Sequence, residues 1–211
     1  MLSKRLKTIY DLIEENSSII NIGTDHALLE IALTKYKNVS CIGTDINEYS
    51  ISKSLQNIEK NGLKNKIFLI HSDGLSKVNV NGEILILSGL GTATILKILE
   101  NPKSFKASKI IIQTNNHLEQ LRRTMCNKGY IIKDEKAIYE NGYWYIVIVF
   151  EVGTGDYFEE DYSLGVFIQN KEYYQYLLSC YEETLKKIPE NEQERRRKIE
   201  FLVEKIIKKT L

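Results

Sequence analysis

The sequence is poor in cysteine. Cys41, Cys126 and Cys180 lie far apart and are odd in number, which fits neither a disulfide framework nor a zinc site. Free, buried thiols in a reducing cytoplasm are the expectation. Histidine is as scarce, and with no His–Cys cluster at ligand spacing a metal site is not expected. An excess of charge of one sign is also missing. The 29 Lys and Arg residues stand against 28 Asp and Glu, so no global field advertises nucleic acid and any basic surface has to be local. Long apolar runs are lacking too. The opening M-L-S-K-R-L-K-T-I-Y has no apolar core of the signal-peptide kind, and no later run would span a bilayer. Internal repeats and low-complexity tracts are absent. These absences lead to the expectation of a soluble, cytoplasmic protein with no membrane partner; the oligomeric state stays open, with a monomer favoured. Its 211 residues suffice for one full α/β domain with a small appendage.

What the sequence does have is alternation. Leu2, Leu6, Ile9, Leu12 and Ile13 recur at helical spacing ahead of the first strand. Short β-branched runs then predict strands at 18–22, 39–44, 66–71, 83–88 and 109–113. Helices are predicted between them near 27–36, 48–60, 92–101 and 118–128. Strands this apolar, separated by helices, imply a parallel sheet covered on both faces. Residues 130–137 and 143–151 follow as two strand-like runs joined by E-N-G, a hairpin signal. Five βα units closed by an antiparallel hairpin match the plan of the class I, Rossmann-like methyltransferases, with a mostly parallel seven-stranded sheet. Residues 153–165 read as an irregular connection. Two helices, 170–187 and 190–209, then form a hairpin broken at Ile188-Pro189. The predicted division is a methyltransferase domain over 1–153 and a connection with a helical appendage over 154–211.

In an open parallel sheet, ligands bind beyond the carboxyl ends of the strands. The first such end is N-I-G-T-D-H-A, Asn21 to Ala27. Gly23 permits a tight turn, and the turn lacks two of the glycines of a dinucleotide G-x-G-x-x-G motif. That disfavours a nicotinamide oxidoreductase. Asp25 suits a cationic ligand, such as a sulfonium with its amino group, better than a diphosphate; the alternative is that Asp25 caps the next helix. Asp45, in G-T-D-I-N, stands where an acid accepts from ribose hydroxyls. Asp73, in H-S-D-G-L, is placed to accept from an adenine's exocyclic amine. Gly89 and Gly91, around Leu90, either let the backbone approach a ligand or pack against a helix.

Taken together, L-S-K-R-L, I-G-T-D-H-A, T-D-I-N, D-G-L, the glycine turn after the fourth strand, Q-T-N-N, L-R, G-Y, D-E and the hairpin resemble, in order and spacing, the bacterial tRNA (adenine-22-N1)-methyltransferase family. The resemblance covers essentially the whole chain. It implies S-adenosylmethionine as donor, N1 of one tRNA adenine as acceptor, and a tRNA-binding role for the helical appendage over 154–211. By position it places Gly23, Asp25, His26, Asp45, Ile46, Asp73, Gly74 and Gly89 in the donor site, and Asn115 on the asparagine of the family's Q-P-N. Asn21, Glu30, Thr92 and Thr114 depart from the family, which usually has Asp, Pro, Gly and Pro there. Losing the charge at Asn21 would weaken donor binding by about 1–3 kcal/mol if that acid pairs with the donor's ammonium. The departures leave two alternatives, an active enzyme or a silent member that binds donor or tRNA without turnover.

Neutral adenine keeps its N1 lone pair, so the expected work is placement of the reacting atoms and stabilisation of a cationic product. Asp25, His26 and Asn115 are the catalytic candidates. Extrusion of the base from paired RNA is expected. The local basic sets are Lys4 and Arg5, Arg122 and Arg123, Lys186 and Lys187, and Arg195, Arg196 and Arg197; they are either RNA contacts or solvated faces. Residues Tyr143–Tyr145 and Tyr173, Tyr174 and Tyr176 either stack bases or pack internally.

Overall fold

The computed structural model describes residues 2–100 and 106–210. Asn101, the last residue of one predicted helix, lies outside them. Helix α1 (Lys4–Asp11) starts at Ser3, whose hydroxyl accepts from the Leu6 N–H. Strands β1 (Ser18–Ile22), β2 (Ser40–Asp45), β3 (Ile67–His71), β4 (Ile84–Ser88) and β5 (Lys109–Thr114) are parallel. Between them run α2 (Leu28–Lys37), α3 (Glu48–Lys60) and α4 (Thr92–Glu100), with α5 (Leu118–Asn127) after β5. Strand β7 (Tyr143–Val152) enters antiparallel to β5, and β6 (Tyr130–Glu140) takes the edge. The turn between them puts Asn141 and Gly142 at φ of 52° and 86°, the two left-handed residues that Asn-Gly supplies for a tight hairpin.

The seven strands lie in the order β3-β2-β1-β4-β5-β7-β6. Strand order therefore reverses between β1 and β4, which puts a crevice beyond their carboxyl ends. Alternating strand residues feed two cores. Ile20, Ile22, Leu85, Leu87, Ile110 and Ile112 face α4 and α5 on one side; Ile19, Ile84, Ile86 and Ile111 face α1, α2 and α3 on the other.

The segment expected to be irregular contains a short helix, α6 (Glu159–Leu164). Helices α7 (Lys171–Lys187) and α8 (Gln193–Thr210) pack on each other, and Tyr173, Tyr174, Leu202 and Ile206 join the same core as the sheet. The expectation of buried thiols needs correcting. Cys41 is buried, its thiol pushed up to about 12 by burial, but Cys126 is half-buried and Cys180 is exposed on α7. No helix among the described residues is long and apolar enough to cross a membrane.

Candidate active site

The parallel register lines up the strand ends. Ile22 pairs with Thr44 and Leu87, Asp45 with His71, and Ser88 with Gln113. The predicted donor residues therefore share one edge of the sheet. At its centre, Gly23 takes φ +84°, and the N–H groups of Gly23 and Thr24 both donate to the Thr44 carbonyl, at 2.8 and 3.0 Å. A Cβ at Gly23 would meet nothing closer than 3.6 Å, so the conformation, not the space, calls for glycine.

One turn of 3-10 helix, Asp25–Ala27, follows, with His26 and Ala27 both left-handed. Ala27 takes the N-cap position of α2 and no side chain caps it. The capping alternative for Asp25 therefore fails: its carboxylate is exposed and lies 3.4 Å from His26 Nε2. An exposed acid at this turn, beside His26, is open to a cation.

Asp45 closes β2 with its Oδ1 accepting the Asn47 N–H at 2.8 Å, which orients the carboxylate. Ile46 beside it is exposed, an apolar wall at the same edge. Asp73 is exposed beyond β3. Gly74 is buried, and a Cβ there would come within 2.9 Å of Ile98, so packing against α4 accounts for that glycine. Gly89 has open space where a Cβ would stand, and its N–H donates to Gln113 Oε1 at 3.2 Å. Asn115 is exposed just past β5.

The four departures from the family pattern form two contacting pairs. Asn21 Nδ2 donates to Glu30 Oε1 at 2.9 Å, and the Thr24 hydroxyl donates to the same oxygen. Thr92 Oγ1 lies 3.2 Å from Thr114 Oγ1 and donates to the Asn116 carbonyl at 2.6 Å. The first pair returns a carboxylate beneath the turn that lost its acid at position 21. Glu30 is fully buried, and burial raises its pKa against the pull of its two hydrogen bonds. Gly43 makes the room: a Cβ there would sit 2.7 Å from Thr24 Oγ1. Asn21 Oδ1 is buried and has no hydrogen-bond partner, a rare state for such an atom. Sequence reasoning gave Glu30 no role at the site, although its spacing beside Leu29 and Leu33 in α2 puts it on the inward face.

The basic candidates divide. Arg122 has to be withdrawn as an RNA contact: its side chain is fully buried, with Nε 2.7 Å from Glu135 Oε1 and Nη1 donating to the Tyr162 carbonyl. Arg5 is held by Glu140 and Gln113 and lies over the Tyr145 ring. Arg123 pairs with Glu119 and Glu159, Lys186 with Glu183, and Arg195 with Glu192. Arg196 donates to the carbonyls of Leu185 and Ile188. Lys4, Lys187 and Arg197 remain exposed. His71, at the end of β3, makes a 2.8 Å hydrogen bond with the Ile46 carbonyl, whereas His117 takes the N-cap of α5 without a side-chain cap bond.

Against known proteins, a family model described as "Methyltransferase domain" matches residues 2–148. The tRNA (adenine(22)-N(1))-methyltransferase of Bacillus subtilis strain 168 is 31% identical over 168 residues, 78% of this chain and 71% of that protein. The structure of M. capricolum TrmK, in complex with the cofactor product S-adenosyl-homocysteine, superposes with a TM-score of 0.85 at 33% identity, covering 99% of this chain and 97% of that one. The B. subtilis M1A22 tRNA methyltransferase TrmK superposes at 0.84 with 24% identity, covering 100% and 99%, which speaks for the fold. By sequence and by structure, this chain belongs to the tRNA (adenine(22)-N(1))-methyltransferase family.

Proposed function

We propose that the chain transfers a methyl group from S-adenosylmethionine to N1 of one tRNA adenine, position 22 by family. The observation that carries the reading is the turn after β1. It combines a left-handed Gly23, an exposed Asp25 whose carboxylate faces His26, and a buried Asn21 Oδ1 with an unused lone pair. A ligand with a positive charge and N–H donors suits that set, and a diphosphate does not.

When bound, the donor supplies a methyl group on a sulfonium, which the N1 lone pair takes, leaving a neutral thioether and a cationic ring. The protein's residues then have two tasks. Asp45 accepts from the ribose hydroxyls, Asp73 from the donor's adenine amine, and the Asn21–Asp25 turn faces the charged end; Gly23, Ile46 and Gly89 shape the walls. On the acceptor side, Asp25, His26 and Asn115 orient the base and offset the ring's new charge. Orientation of this kind lowers a barrier by several kcal/mol, up to about 7–11. Residues 154–211 serve as the tRNA-facing part, with Lys187 and Arg197 as its exposed cations, and Lys4 adds a third from α1.

The test is transfer of label from radioactive S-adenosylmethionine to unmodified tRNA, with donor affinity read by calorimetry. Wild-type protein should label RNA, and Asp45→Ala should weaken donor binding about tenfold or more, as loss of a charged hydrogen bond does. Donor binding without transfer to any tRNA would instead identify a silent member.

A further inference from the structure

A cavity of about 370 Å³ opens beside Asn115, on the side of β5 away from β1 and β2. Tyr139, Tyr143 and Trp144 wall it from the hairpin tip, and Glu172 and Tyr176 from the first turns of α7. That volume falls within the roughly 300–1,000 Å³ of small-ligand sites. Trp144 is its fixed element. Its ring centroid lies 5.2 Å from that of Tyr139, 6.3 Å from that of Tyr176 and 5.3 Å from that of buried Tyr173, which meets it edge-on. Around this clamped ring, Tyr139, Tyr143 and Tyr176 are 51%, 63% and 47% exposed. A rigid aromatic cluster left open to water at the sheet's ligand-binding edge marks a binding surface.

Its chemistry selects a planar base. Aromatic faces stack on any nucleobase. The Asn115 amide adds an edge: asparagine pairs bidentately with N6 and N7 of adenine, and that pairing leaves N1 free. Guanine offers only acceptors at the same edge. The ring becomes cationic on methylation, and aromatic faces with a carboxylate in the wall favour the cation.

We infer that this cavity seats the acceptor adenine, stacked on the hairpin-tip aromatics and read by Asn115 along its N6–N7 edge. The inference rests on the reading of the chain as an adenine-N1 methyltransferase and adds two elements to its site. The hairpin tip and α7 complete the acceptor pocket, so the C-terminal helices take part in base placement as well as in tRNA binding.

Trp144 is the chain's single tryptophan, so its emission reports the cavity directly. Unmodified tRNA should quench it, and a transcript with guanine at the acceptor position should quench it less. Tyr143→Ala and Tyr176→Ala, both at exposed side chains, should each lower kcat/KM for tRNA about tenfold or more, the size expected for one lost stacking contact. Donor affinity by calorimetry should stay at the wild-type value, and Tyr143→Phe should restore the loss. Glu172→Gln should lower kcat with KM for tRNA unmoved. Wild-type kcat/KM in both tyrosine variants, or emission blind to the acceptor base, overturns the pocket. A wild-type protein that methylates no tRNA overturns the underlying reading, independently of the variants.

Discussion

Glu30 is buried with two neutral donors, Asn21 Nδ2 and the Thr24 hydroxyl, and its raised pKa follows from that burial. The sign of the consequence is definite. A carboxyl whose folded pKa lies above its unfolded value stabilises the fold below the ordinary glutamate range and loses that contribution as pH rises through the folded pKa. Glu30→Gln keeps the acceptor oxygen and removes the ionisation. The variant should match wild type near pH 4 and gain on it as pH rises above the ordinary glutamate value, each kcal/mol moving Tm by about 2–4 °C at this length. Parallel Tm–pH profiles for the two proteins would contradict the assignment. The motif residues Gly23, Asp25 and Asp45 were legible because a turn beyond a strand announces itself locally. Glu30 was legible only as an inward helix position. Its contact with Asn21 spans a loop and a helix turn that periodicity does not place.

At the scale of elements, the Arg122–Glu135 pair fastens the C-terminal segment. Glu135 Oε2 accepts the N–H groups of Val166 and Phe167 at 2.6 and 3.2 Å, while Arg122 reaches the Tyr162 carbonyl. One buried pair thus ties α5 and β6 to the chain around α6. Removing one partner of such a pair costs about 3–5 kcal/mol, whereas exposed pairs are worth about 0–1. Arg122→Ala should therefore lower the urea-unfolding free energy by several times the loss from Arg123→Ala; similar small losses would contradict the assignment. From sequence, Arg122 and Arg123 read alike as two basic residues on one helix. Tertiary packing alone separates them. Strands β1 to β5, β7 and α3 were legible to within a residue or so because apolar period and Asn47 capping agree, whereas β6 runs three residues past the expected 137, to Glu140. Helix α6 was not, since 154–165 has no helical apolar period; Asp161, accepting the Phe158 N–H at 2.9 Å, sets its start. Helix α8 begins at Gln193 because the Glu192 N–H turns back to the Pro189 carbonyl.

At the scale of the molecule, a near-neutral chain has to hold a polyanion through local charge and shape. Several basic candidates are already engaged by neighbouring acids or carbonyls, which leaves placement of the base, more than bulk attraction, as the source of specificity. The sheet supports this division. In the proposed site, donor-side residues occupy the ends of β1, β2, β3 and β4, while the acceptor side draws Asp25 and His26 from the turn after β1 and Asn115 and the hairpin aromatics from the β5 side of the β1–β4 crevice. The central claim is that these two sides meet at N1 of one adenine. Its most direct measurement is to digest tRNA treated with the protein and S-adenosylmethionine, identify the modified nucleoside by mass spectrometry, and map it by reverse-transcription stops. The account predicts 1-methyladenosine and a single stop at position 22. A different methylated nucleoside, stops at several adenines, or no modification despite bound donor would contradict it.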